Sequence, residues 1–205
     1  MLIVGAKGFA KEALEIVVEK TSENDIVFYD DISSDLTDKL FDRFPILKNE
    51  EDARKYLMNF GPKFILGVGG PITREYLSKK FESFGGELAT IISEKSNVGM
   101  YNTTISEGSI VMQNCTITNN INIGKGCLIN IHSTIGHDSL IGDFVEICPS
   151  VNISGNVKIG NSTFIGTSAT ILPNITIGQN CVIGAGAVVT KNVPNNSIVK
   201  GIPAK

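Results

Sequence analysis

The chain has no tryptophan and only two histidines, so chemistry that needs an imidazole can draw only on His132 or His137. Basic residues are not in excess. Eighteen Lys and Arg stand against 21 Asp and Glu, a net charge of -3, which is the opposite of a nucleic-acid binder's footprint. No apolar run reaches the roughly 18 residues at which a membrane span begins. The opening MLIVGAKGFAKEALEI meets Lys7, Lys11 and Glu12 too early for the apolar stretch of a secretory signal. Cys115, Cys127, Cys148 and Cys181 show no CxxC spacing, which argues against a disulfide framework and against a cysteine zinc site. These absences predict a cytoplasmic protein with no membrane span, no nucleic-acid partner and no metal.

Aromatic residues are also missing from one half. Of fourteen, only Phe144 and Phe164 lie beyond Tyr101. Charge thins at the same place: between Ile105 and Val189 only Glu107, Lys125, Asp138, Asp143, Glu146 and Lys158 are charged. Two packing regimes predict two domains, residues 1–95 and 96–205.

The first half alternates short apolar runs with helical spacing. Leu2–Val4 and Ile26–Tyr29 read as strands, and Phe64–Leu66 and Leu88–Ile92 do as well. Ala10, Ala13, Leu14 and Val17 then repeat at the helical interval, as do Ala53, Tyr56, Leu57 and Phe60, and Leu77, Phe81 and Phe84. Continuous apolar strands joined by helices predict a Rossmann-like parallel sheet covered on both faces. Ligands of such sheets bind at the carboxyl ends of the strands, which here are GAKG, DD and GVGG. The full G-x-G-x-x-G is absent, so a dinucleotide site is not supported. Gly5, Lys7 and Gly8 still form a turn that lets a ligand approach the backbone and a helix N-terminus. Asp30 follows Gly8 by 22 residues, a separation that suits a ribose hydroxyl. With Asp31, Gly69 and Gly70 these residues form a candidate shortened nucleotide site; Phe9 follows Gly8 directly. Arg74, just beyond Gly70-Pro71, is either a phosphate contact or an exposed helix arginine.

The second half repeats every six residues. From Ile105 to Val189, fifteen successive positions at this interval are Ile or Val without an insertion. The residues two places before them are mostly small or β-branched. Neither a helix nor an alternating strand has this period, and a parallel β-helix does. Cys115, Cys127 and Cys181 share the small inward phase and read as buried apolar thiols.

With GAKGFA, FYDD, GVGGPITRE, IGHDSLIGDFVEICPSVNISGNVKIG, IGAGAVVTKNV and the terminal VKGIPAK, the whole chain resembles the hexapeptide-repeat sugar acetyltransferases. Its nearest likeness there is the branch of sialic acid O-acetyltransferases and bacillosamine-type nucleotide-sugar N-acetyltransferases. The resemblance implies a left-handed β-helix with eighteen residues per coil, a homotrimer with active sites between subunits, and acetyl-CoA as cosubstrate. The implied acceptor is a nucleotide-linked amino sugar; a sugar hydroxyl is the alternative, and a non-catalytic trimeric sugar-nucleotide scaffold is a third reading. By the same resemblance His137 is the general base and Asp138 its orienting acid. A metalloenzyme of the γ-carbonic anhydrase type, which shares the β-helix, needs three histidines per site and is disfavoured.

An eighteen-residue coil puts His137 outside the prism near a corner, with Asn119 one coil before and Gly155 one coil after. Pro149, Thr167 and Ala185 share its outward phase at the neighbouring corner, where Thr167 and Ala185 leave a shallow groove. The acetyl-CoA set implied by the family is Glu146, Gly155, Thr167, Ala185 and Lys191. Glu146 stands where several relatives carry histidine, and an ionised glutamate cannot donate a hydrogen bond. Phe9 stands where the bacillosamine enzymes carry another histidine, which implies different handling of the sugar. His132 lies in a different phase and reads as a surface polar residue.

Overall fold

The computed structural model describes residues 1–205. The first unit is a six-stranded sheet. In chain order its strands are β1 (Leu2–Val4), β2 (Val27–Tyr29), β3 (Lys39–Leu40), β4 (Phe44–Leu47), β5 (Lys63–Leu66) and β6 (Glu87–Leu88), arranged β3-β4-β2-β1-β5-β6. All pairs are parallel except the β3–β4 hairpin at one edge. Helices α1 (Gly8–Val17), α2 (Glu50–Phe60) and α3 (Pro71–Ser83) cover it. The chain runs from β1 to β2 on one side and later returns to β5 on the other. This reversal opens a crevice at the carboxyl ends of β1 and β5, the usual ligand position in an open parallel sheet.

The second unit is a left-handed parallel β-helix built from two-residue strands. Its three faces hold seven, six and five strands. Rungs pair eighteen residues apart, as in Ile110–Leu128–Glu146 and Thr134–Asn152–Thr170. The repeated Ile and Val side chains fill the prism, joined by Cys115, Cys127, Cys148 and Cys181, in one cluster of 26 buried residues. All four thiols are free. From Asn102 to Gly186 every sixth residue has positive φ, and most of these are Asn, Asp, Ser or Gly. Asn, Asp and Gly tolerate left-handed backbone best, so the hexapeptide repeat encodes its own corners. His132 occupies such a corner, exposed, with φ of 60°.

The strand expected over Leu88–Ile92 is divided. Glu87–Leu88 closes the first sheet, and Ile91–Ile92 is the first rung of the β-helix. Two residues separate them, too few to show in an apolar pattern.

The two units share a core. Ile3, Ala10 and Ile65 lie in one buried cluster with Ile91, Ile110, Met112 and Leu128. Polar contacts reinforce it. Glu19, near the end of α1, accepts from the Ser93 hydroxyl at 3.1 Å and the Glu94 amide at 2.8 Å.

Candidate functional site

His137 lies in the turn after the rung Thr134–Ile135. Its side chain is 70% exposed, and Nδ1 lies 2.6 Å from Asp138 Oδ2. Asp138 has φ of 61°, which an aspartate adopts readily. Its carboxyl is held below the usual carboxylate range, first by the hydrogen bond from Asn120 and then by that from His137. An ionised carboxylate only accepts, so the proton of a neutral imidazole sits on Nδ1. Nε2 then carries the lone pair. The ring lies against Gly155: a Cβ there would stand 2.6 Å from Nε2 and 2.7 Å from Cε1. The glycine in the next coil is therefore a requirement of the histidine's position.

The other groove residues line the neighbouring corner. Thr167 and Ala185 are exposed, and Pro149 is half-buried. Between this corner and that of His137 runs the six-stranded face that carries Thr134, Asn152 and Thr170. Lys191 is exposed just past the rung Val188–Val189. None of the five main cavities of the single chain is lined by His137, Thr167 or Ala185.

Glu146 is not in that groove. Its side chain faces the first unit and is 7% exposed, with Oε2 accepting from the Gly70 amide at 2.5 Å. The rung Glu146–Ile147 lies on the face against which the Rossmann-like sheet packs, and this directs the side chain there. Gly70 is accordingly occupied by Glu146.

Arg74 is a clearer correction. It is fully buried at the start of α3. Nη1 donates to the carbonyls of Leu66 and Val68, each at 2.9 Å, Nε to Gly126 at 3.1 Å and Nη2 to Cys127 at 3.4 Å. Burial pushes its pKa down to about 10, and the charge of Glu146 opposes the fall. A guanidinium committed in this way is a bolt between the units and has no free donor face for a phosphate.

The remaining candidates of the first unit do converge. Gly5, Lys7, Gly8, Phe9, Asp30 and Gly69 line a cavity of about 240 Å³ at the β1–β5 crevice. Asp31 lines an adjoining one of about 190 Å³ with Gly5 and Asp30. Gly5 has φ of 106°, and a Cβ at Gly8 would meet nothing within 4 Å, so Gly8 is not required by packing and leaves room at the helix end. No side chain caps α1 and no acid lies in its first turn, so its amides point unopposed toward the cavity. Asp30 builds the wall: Oδ1 accepts from the amides of Ile32 and Ser33, and Oδ2 from the Ala6 amide and the Ser33 hydroxyl. Lys7 bridges the mouth to Asp35 at 2.6 Å, and Asp35 is held low by that lysine. Tyr29, Val68 and Leu77 also line the second cavity. Tyr29 had a signal in the sequence, since it directly precedes the acidic pair at the end of β2.

Residues 1–81 match a family model described as the PglD N-terminal domain, and residues 156–191 match one described as bacterial transferase hexapeptide, six repeats. The chain is 32% identical over 163 residues to the GDP-perosamine N-acetyltransferase of Escherichia coli O157:H7, covering 77% of this chain and 71% of that protein. Among solved structures, WeeI from Acinetobacter baumannii AYE is 30% identical with a TM-score of 0.90, covering 100% of this chain and 97% of that one. The acetyltransferase domain of PglB from Neisseria gonorrhoeae FA1090, solved with acetyl coenzyme A, is 29% identical with a TM-score of 0.87 and the same coverage.

Proposed function

The chain belongs to the hexapeptide-repeat nucleotide-sugar acetyltransferase family, and from that premise we propose that His137 is the base with which it moves an acetyl group from acetyl-CoA to the amine of a nucleotide-linked amino sugar. The observation that carries this is the His137 Nδ1–Asp138 Oδ2 contact at 2.6 Å, which leaves Nε2 free above Gly155. As the amine nitrogen bonds to the thioester carbonyl carbon, Nε2 takes its proton. The C–S bond then breaks, and the imidazolium returns that proton to the leaving thiolate. Asp138 stabilises the imidazolium meanwhile. The Gly155 amide, close beside the ring, is a donor for the developing oxyanion. Buried Cys148 is not needed as an acyl carrier, because burial pushes its thiol up to about 12.

The cavity at the ends of β1 and β5, residues 1–95, takes the nucleotide sugar, with diphosphate at the amides of α1 and sugar near Phe9. The β-helix, residues 96–205, takes acetyl-CoA along Thr167, Ala185 and Lys191. His137 and this groove line none of the five main cavities of the single chain, which supports a homotrimer whose next subunit supplies the opposing wall. Four buried free thiols suit a reducing compartment, the cytoplasm.

The test is thiol release from acetyl-CoA with a panel of nucleotide-linked 3-amino and 4-amino sugars. His137→Ala should lose roughly 10²–10⁴-fold in kcat/KM; full retention refutes the base assignment. An acetyl group that survives mild alkali is an amide, and one that is lost is the ester of the hydroxyl reading. A monomer in light scattering at working concentration refutes the trimer.

A further inference from the structure

Every eighteenth residue at the corner beside His137 forms one column: Asn102, Asn120, Asp138, Asn156 and Asn174, all with left-handed backbone. Asn102 Nδ2 donates to Asn120 Oδ1. Asn120 Nδ2 donates to Asp138 Oδ1 at 2.5 Å, and Asp138 Oδ2 holds His137 Nδ1 at 2.6 Å. Above the aspartate, Asn156 Nδ2 donates to Asn174 Oδ1 at 2.8 Å.

The direction of this ladder is dictated by chemistry. A carboxylate has no proton to give, so Asn120 must turn its NH₂ group to Asp138. Its carbonyl oxygen then faces Asn102, which must in turn present NH₂. No hydrogen bond runs between 138 and 156, because Asn156 turns its NH₂ group the other way, to Asn174. Asp138 is thus the terminal acceptor of a two-amide chain, and its second oxygen is left for the imidazole. On an exposed corner an aspartate held on one side only would turn toward water.

We propose that Asn120 is a positioning residue for the transfer reaction: through the Asn102–Asn120 amide ladder it fixes the Asp138 carboxylate so that its other oxygen holds His137 with the proton on Nδ1. This rests on His137 being the base. Amide ladders also stabilise stacked coils as such, and Asn156–Asn174 is the internal control, since it is the same device without a carboxylate.

The test uses the full chain in its native assembly, labelled with ¹⁵N. Only two histidines need assignment, and His132→Gln separates them. Asn120→Gly removes the side chain at a position whose positive φ glycine adopts freely. The ring nitrogens of His137 should move from a single Nδ1–H form to a mixture of tautomers. kcat should fall about tenfold, with both KM values within about twofold. In an Asp138→Gly background the same change should add no further loss, because Asn120 acts only through Asp138. Asn156→Gly should move neither the tautomer nor kcat. If Asn120→Gly fails to fold, Asn120→Asp keeps the size and the left-handed corner but sets acceptor against acceptor, and should mix the tautomers likewise. An unchanged tautomer, an equal effect of Asn156→Gly, or an additive loss with Asp138→Gly overturns the proposal. Full activity of His137→Ala alongside a shifted tautomer would instead overturn the base assignment and leave the ladder's hold on the ring standing.

Discussion

Replacing Gly155 by alanine isolates the geometry of His137 from the stability of the coil. Gly155 is not in the left-handed region, so alanine fits its backbone. Losing a glycine lowers the entropy of the unfolded chain and adds up to about 1 kcal/mol of stability. The new Cβ, however, would lie 2.6 Å from Nε2, 2.7 Å from Cε1 and 3.1 Å from Cδ2 of the His137 ring. To reach ordinary contact the ring must retreat by about 0.8 Å, away from the place where its lone pair meets the amine. A rotation of ~30° off the rotamer costs about 0.5–1.5 kcal/mol, and a misplacement near 1 Å costs up to ~10²-fold in rate. The expected outcome is a loss of about 10–100-fold in kcat with the melting temperature unchanged or raised. Thiol release under saturating substrates, together with calorimetry, measures both. An alanine variant with unchanged kcat refutes the reasoning. So does a loss that falls wholly on KM for acetyl-CoA, because Gly155 would then serve the thioester rather than the histidine.

Arg74→Met keeps the volume at the bolt between the units but strips four carbonyls of their donor. It should cost at least ~3 kcal/mol, a fall of roughly 6–12 °C in melting temperature, and Arg74→Lys should not restore it because an ammonium cannot span the four acceptors; a shift under 2 °C contradicts this. Cys127 and Cys148, raised to about 12 by burial, should be unreactive toward a disulfide reagent at pH 8, with four thiols appearing only on denaturation; one fast-reacting thiol in the native chain would contradict it. Asp138 is held below its ordinary value, so what its charge contributes is present above about pH 4 and is lost as pH falls through the lower folded value. The stability difference from Asp138→Asn should therefore narrow as pH falls below about 4; a difference that does not narrow on this acidification means that the charge is not responsible.

The β-helix was legible because each hexapeptide states its rule locally: an inward Ile or Val, a small partner, a corner residue that accepts positive φ. His137 stood out as a residue that the rule does not ask for. The glycine turn and Asp30 were legible because the ends of parallel strands gather at one edge. Arg74 and Glu146 were not. Arg74 bonds to Gly126, 52 positions away, and Glu146 to Gly70, 76 positions away. No local spacing reports which face of the prism will meet the first sheet. An arginine at a helix start beside a glycine turn looks the same whether it ends in a phosphate site or between two layers. The join at residues 88–92 was lost for a related reason: Leu88, Ala89, Ile91 and Ile92, interrupted only by Thr90, imitate one strand.

The stacking also fixes a distance. Three rungs of the first face, beginning at Ile91, Ile110 and Leu128, set the level of His137 above the sheet that holds the β1–β5 cavity. The shared core and the Arg74 bolt allow no slack between the two. Coils advance by about 4.8 Å each, so the protein carries a gauge graduated in whole coils. Duplicating residues 116–133 would raise His137 by one graduation and leave Gly126 and Cys127, the acceptors of Arg74, in place. The span between the β1–β5 cavity and His137 is then a matter of coil count, which duplication of a single repeat unit changes in one step.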